Sequence, residues 1–143
     1  MLCLIAVLTI YHPVQIGTDR AQQALEVCRE VEHRAKARAM DPLIPVAVAA
    51  EESRFTRTIK SQSGAVGPLQ VLPVYWCPTK GNCNEIEAGL DALEYFLERE
   101  GHNETRAFTR YAGAGPRARA YARRVQGRLN HLRRSMKLRE AKP

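Results

Sequence analysis

The sequence predicts a single, mainly α-helical domain, and three observations carry that expectation. Apolar residues recur at helical spacing in several stretches, as in Ala21, Leu25, Cys28, Val31 and Ala35. Ala, Leu, Val and Arg dominate while aromatic residues make up only 6%, a balance that favours helices. With 143 residues, 45% of them apolar and 26% charged, the chain suits one globular unit with its own core. No internal repeat or low-complexity tract interrupts it.

Taken in order, Leu2 to Ile10 is a nearly unbroken apolar run, too short to span a bilayer as a helix. It resembles the apolar centre of a signal peptide but has no basic residue before it and no Ala-x-Ala site after it. Two readings stand: a segment packed in the fold, or an export or membrane-tether segment. Thr18-Asp19 marks a helix start, followed by the apolar stripe above through about Ala39. Asp41-Pro42 opens the next helix, with Pro45 in or just before its first turn. From Val46 to Ala50 every position is apolar, which predicts a helix buried all round.

Asn84 is placed to cap a helix from Glu85 to about Glu100 that Gly101 stops, with Ile86, Leu90, Leu93 and Leu97 on one face beside Phe96. Asn103 caps a short helix from Glu104 to about Tyr111. Pro116 opens the last helix, whose apolar positions are Tyr121, Val125, Leu129, Leu132 and Met136. The expected division is an apolar N-terminal segment over 1–17, a body over 18–126, and a basic C-terminal helix or tail over 127–143.

Charge is unevenly placed. Residues 1–104 hold 10 Lys and Arg against 14 Asp and Glu, whereas residues 105–143 hold 12 against 1. The net +7 therefore arises from a C-terminal segment of balance +11. Such a segment either forms a solvated face or attracts an acidic surface. It lacks the interleaved aromatics of a specific nucleic-acid reader. Cys77 and Cys83 are close enough in sequence for a small disulfide loop in an oxidising compartment, or they are two free thiols. They lack the further ligands of a zinc site, and Cys3 and Cys28 are read as small core residues.

Chemistry concentrates between Ala49 and Pro73. There an apolar helix runs into two adjacent carboxylates, Glu51 and Glu52, and a Ser/Gly turn leads to a second apolar run carrying Gln70. A carboxyl in an apolar wall keeps its proton near neutral pH, because desolvation penalises the charged form. It can then protonate the leaving oxygen of a glycosidic bond. A helical wheel sets Glu51 on the face of Ile44, Val48 and Phe55, so burial alone favours Glu51 as the acid. Gly64 and Gly67 give backbone freedom around the cleft. Gln70 either offers a donor and an acceptor to sugar groups or is a solvent-facing helix residue. Val71, Leu72, Val74, Tyr75 and Trp76 are read as core or cleft wall, with Trp76 either stacked on a sugar or buried.

Glu52, Ser53, Phe55, Ser61, Gly64, Ala65, Gly67, Leu69, Gln70 and Pro73 stand in the register of the lytic transglycosylases and the related goose-type lysozymes, which this stretch resembles. Pro68-Leu69 replaces the family's Leu-Met. A second resemblance follows: Tyr111 matches the family's Tyr beside its catalytic Glu, and Tyr121 and Val125 match a later pair. Ala112 stands where Asn is usual, and Arg117 stands near a position where some members carry Glu.

The resemblance implies a lysozyme-like domain, Glu52 rather than Glu51 as catalytic residue, and Ser53, Ser61, Gln70 and Tyr111 as substrate-binding residues. It implies cleavage of the β-1,4 bond between N-acetylmuramic acid and N-acetylglucosamine in peptidoglycan glycan strands, with no metal or organic cofactor. It places the protein at the bacterial cell wall or periplasm, carried in a phage virion in one version, where virion or envelope-machinery proteins are partners. The alternatives are a muramidase that hydrolyses the same bond, or a structural virion or secretion-apparatus subunit with a weakened lysozyme-like fold. A weaker alternative is nucleic-acid binding through the basic segment.

Overall fold

The computed structural model describes residues 1–79 and 83–141. Lys80, Gly81 and Asn82 in the Cys77–Cys83 loop, and Lys142 of the basic tail, lie outside the described residues. The fold is mainly helical, with α1 Leu2–Leu8, α2 Asp19–Ala37, α3 Leu43–Ser53, α4 Pro73–Trp76, α5 Glu85–Arg99, α6 Glu104–Ala112 and α7 Gly115–Glu140. A short 3-10 turn spans Pro13–Gln15. Among the described residues there is no strand, only isolated bridges from Val66 to Lys60 and to Val71.

Local chemistry sets most of the helix starts. Thr18, Asn84 and Asn103 each accept a hydrogen bond from a first-turn amide, those of Ala21, Glu87 and Arg106. Asp41 does the same for α3, taking the Leu43 amide at 3.0 Å in place of Pro42, which has no side chain able to cap. Pro45 lies in the first turn of α3, where a missing N–H removes no helical hydrogen bond. Gly101 ends α5 with φ +59, a left-handed conformation that glycine adopts without steric penalty.

A single large core joins α1, α2, α3, α5, α6 and α7, and α3 lies at its centre. All residues of α3 from Ile44 to Ala50 are buried, as its unbroken apolar sequence requires. Arg34 near the end of α2, and Arg38 just past it, tie α2 to α5 through Arg34–Glu87 at 3.1 Å and Arg38–Asp91 at 2.5 Å. Arg133 on α7 grips Glu104 of α6 with two hydrogen bonds, at 2.7 and 2.5 Å.

Of the two readings of the 1–17 segment, packing in the fold holds: Leu2, Cys3, Ala6 and Val7 are buried in the common core, against α2, α3 and α7. Two expectations need correction. Cys3 and Cys28 are buried as expected but are joined in a disulfide, because packing α1 on α2 brings their Cα atoms to 5.6 Å. The 126/127 division has no structural counterpart, since α7 runs through it and buries Leu129 and Leu132 beyond it. Cys77 and Cys83 form the local disulfide. Among the described residues no helix is long and apolar enough to cross a membrane.

Candidate active site

Helix α3 ends abruptly. Arg54 and Phe55 both take left-handed backbone angles, φ +51 and +58, which swing the chain back and drive Phe55 fully into the core. The Ser53 hydroxyl donates to the Pro68 carbonyl at 2.8 Å and accepts from the Thr56 amide at 3.3 Å. Ser53 is buried, so its expected role as a sugar contact is corrected: it ties the helix end to the following loop.

That loop is built from short turns. The Ala65 amide donates to the Ser61 hydroxyl at 3.0 Å, and Val66 and Val71 exchange backbone hydrogen bonds. The Gln70 amide donates to the Gly67 carbonyl at 3.1 Å, closing a turn over Pro68 and Leu69. Proline is favoured at the first inner position of such a turn, so Pro68 fits where the resembling family has another residue. Gly67, at φ +76, also passes so close to Glu85 that an added Cβ would lie 2.5 Å from its carboxylate. Leu69 is fully buried against Gly89, where a Cβ would meet it at 2.4 Å.

A cleft of about 430 Å³ opens between this loop, the end of α3, and helices α4, α5 and α6. Glu52, Ser61, Gln70, Trp76 and Tyr111 all line it. The side-chain amide nitrogen of Gln70 donates to the carbonyls of Ile59 at 3.1 Å and Gly67 at 2.9 Å. Its donors thus serve the loop, leaving the carbonyl oxygen for a ligand. Tyr111 donates to the Leu69 carbonyl, so this hydroxyl also supports the loop. Trp76 packs edge-on to Tyr95 and Phe96, with centroids at 5.6 and 6.0 Å, and keeps part of its ring at the cleft. Tyr75 is 75% exposed on the cleft rim, whereas Val74 is 79% exposed and belongs to neither core nor this wall, correcting its expected place.

The two adjacent carboxylates have opposite fates. Burial pushes the Glu52 carboxyl up to about 7, and neighbouring Glu51 adds to the rise. The Tyr121 hydroxyl and Arg124 pull the other way without prevailing. Burial also acts on Glu51, but hydrogen bonds from Arg124 and Arg128 outweigh it and hold that carboxyl below its ordinary value. The wheel argument for Glu51 therefore failed: α3 is buried all round, and its direction at Glu51 meets the arginines of α7. Two tyrosines flank Glu52. Burial, and then the nearby carboxylate, raise the hydroxyls of Tyr111 and Tyr121 well above the usual tyrosine value, so both stay protonated. The Tyr121 hydroxyl meets no partner at full hydrogen-bond geometry, yet it sits near enough to favour ionised Glu52.

The sequence marks Tyr121 as an apolar position of the last helix and as a match to the family, and singles out neither Arg124 nor Arg128. Their one available signal was spacing: Tyr121, Arg124 and Arg128 share one side of α7. Among the described residues lining the cleft, Glu52 is the only carboxylate. Among the described residues, no three His, Cys, Asp or Glu side chains group as metal ligands. No protein-family model, curated protein or solved structure matches the chain, so its function is argued from the cleft itself.

Proposed function

We propose that the protein is a peptidoglycan lytic transglycosylase with a lysozyme-like domain, acting at the bacterial cell wall. The observation that carries this reading is the Glu52 carboxyl, held up at about 7 in the wall of an open cleft. An acid of that strength exchanges its proton in both directions near neutral pH. Glu52 protonates the oxygen leaving N-acetylmuramic acid while the substrate's own acetamido group supports the sugar centre. The resulting carboxylate then takes the proton of the muramic C6 hydroxyl, whose oxygen closes a 1,6-anhydro ring, and Glu52 returns to its protonated form. One group serves as acid and then base, which suits a cleft whose described lining offers no second carboxylate.

The remaining groups hold the sugar and the acid. The Gln70 side-chain oxygen and the Ser61 hydroxyl face the cleft as polar contacts, and Trp76 and Tyr75 offer ring faces to the glycan. Tyr111 and Tyr121 bracket Glu52 and limit its freedom. Mass spectrometry of digested peptidoglycan tests the reading. Fragments ending in 1,6-anhydro-muramic acid, absent with Glu52→Gln, support it. Reducing ends that carry oxygen from labelled water identify a muramidase. No cleavage by a folded parent protein rejects an enzymatic role and leaves the structural-subunit alternative.

A further inference from the structure

A second concavity lies away from Glu52, between α1, α3 and α7, with a volume of about 620 Å³. Its floor is made of small buried residues, Ala6, Ala47 and Ala50, with Gly127 exposed at its edge, and its walls include Ile5, Leu8 and Leu132. On the outer side of α1, Leu4 and Leu8 are each 38% exposed. Gly127 is the informative residue. It stands inside a 26-residue helix, where glycine is a poorer choice than alanine, yet an added Cβ would meet nothing within 4 Å. Packing in this molecule does not demand a glycine there. Its effect is to leave that edge of the trough open.

Arg128 and His131 line the trough, and no Asp or Glu does. Arg128 is engaged with Glu51, but Arg134 continues the stripe at helical spacing and Leu138 follows it, 67% exposed. Arg123, Arg134, Lys137 and Arg139 are exposed and have no carboxylate partner among the described residues. Exposed leucines, an apolar trough and unpaired cations on adjoining faces match what an anionic phospholipid presents, an acyl chain beside a negative headgroup.

We infer that the face formed by α1 and α7 docks on an anionic phospholipid bilayer, with the trough taking an acyl chain. The inference does not depend on the activity assigned to Glu52. It is tested by flotation of the full chain with vesicles of phosphatidylglycerol and phosphatidylcholine, against phosphatidylcholine alone. The parent protein floats with the anionic vesicles and not with the neutral ones. Leu4→Ser with Leu8→Ser, and separately Gly127→Leu, weaken binding at least tenfold, and Arg134→Gln with Lys137→Gln weakens it most at low salt. Circular dichroism verifies folding of each variant; if Gly127→Leu fails to fold, the two surface serine substitutions decide. No flotation, or binding unchanged by those serines, overturns the inference. So does a parent dimer in light scattering that Leu8→Ser dissociates, which would make this face a contact between copies.

Discussion

Replacing Glu52 by Gln removes a titrating proton from the cleft wall, and the effect on stability follows from the shift. The carboxyl goes from 4.5 to about 7 on folding. Because the folded value is raised, the unfolded chain releases this proton first. The favourable contribution of Glu52 is complete below 4.5 and is lost as the pH climbs towards 7. A shift of that size corresponds to about 3 kcal/mol, at about 1.4 kcal/mol per unit. Gln is neutral at every pH and carries no such dependence. Below pH 4.5 the two proteins should differ little, and above pH 7 the Gln variant should be more stable by about 3 kcal/mol, or roughly 10 °C in melting temperature for a chain of this size.

Urea unfolding of both proteins across that range gives the difference directly. Glu30 and Glu104, both held below their ordinary value by arginines despite opposing burial, lose stabilisation in acid, but they do so in both proteins and cancel. Loss of peptidoglycan cleavage should accompany the gain in stability, as expected when an ionisable group is kept in an apolar wall for use. Parallel stability curves for parent and Gln variant would refute the argument. They would mean that the carboxyl is solvated in the folded state and has no raised pKa to exploit.

Other predictions concern the surroundings. Glu51→Gln removes a like charge beside Glu52 and frees Arg124, so the Glu52 carboxyl should fall below about 7 in a carbon-13 carboxyl titration; an unmoved or raised value would reject this coupling. Replacing Cys3 and Cys28 together by Ser opens a cross-link of sequence separation 25 and should destabilise by about 3 kcal/mol, which unchanged urea melts would contradict. Arg134, Lys137 and Arg139 changed together to Gln should weaken binding to whole cell wall at low ionic strength while turnover of a short uncharged chitooligosaccharide holds; equal loss on both substrates would show that the tail shapes the cleft. Arg133 belongs outside that set, since it bonds twice to Glu104 and its loss should lower stability.

Local signals were legible in the sequence. Thr18, Asn84 and Asn103 cap helices because the interaction spans three residues and needs nothing from the rest of the fold. The apolar stripes of α2, α5 and α7 were readable for the same reason, as was the Cys77–Cys83 loop. Long-range consequences were not. The Cys3–Cys28 bridge depends on how α1 meets α2, and neither helix carries a mark of that meeting. Gln70 and Tyr111 were placed at the cleft, but their donors go to backbone carbonyls of the loop, a commitment visible only once the turns are formed.

The pair Glu51–Glu52 shows why burial alone could not select the acid. Both side chains leave the end of a helix that the core surrounds, so both lose water. What separates them is the company each finds. Glu51 meets Arg124 and Arg128, two cations one helical turn apart on α7, and their hydrogen bonds more than offset desolvation. Glu52 meets tyrosine hydroxyls and the cleft, with Arg124 already engaged, and desolvation prevails. The basic character of α7 thus has a use beyond surface charge. By occupying Arg124 and Arg128 with one carboxylate, the fold leaves the next one free to keep its proton.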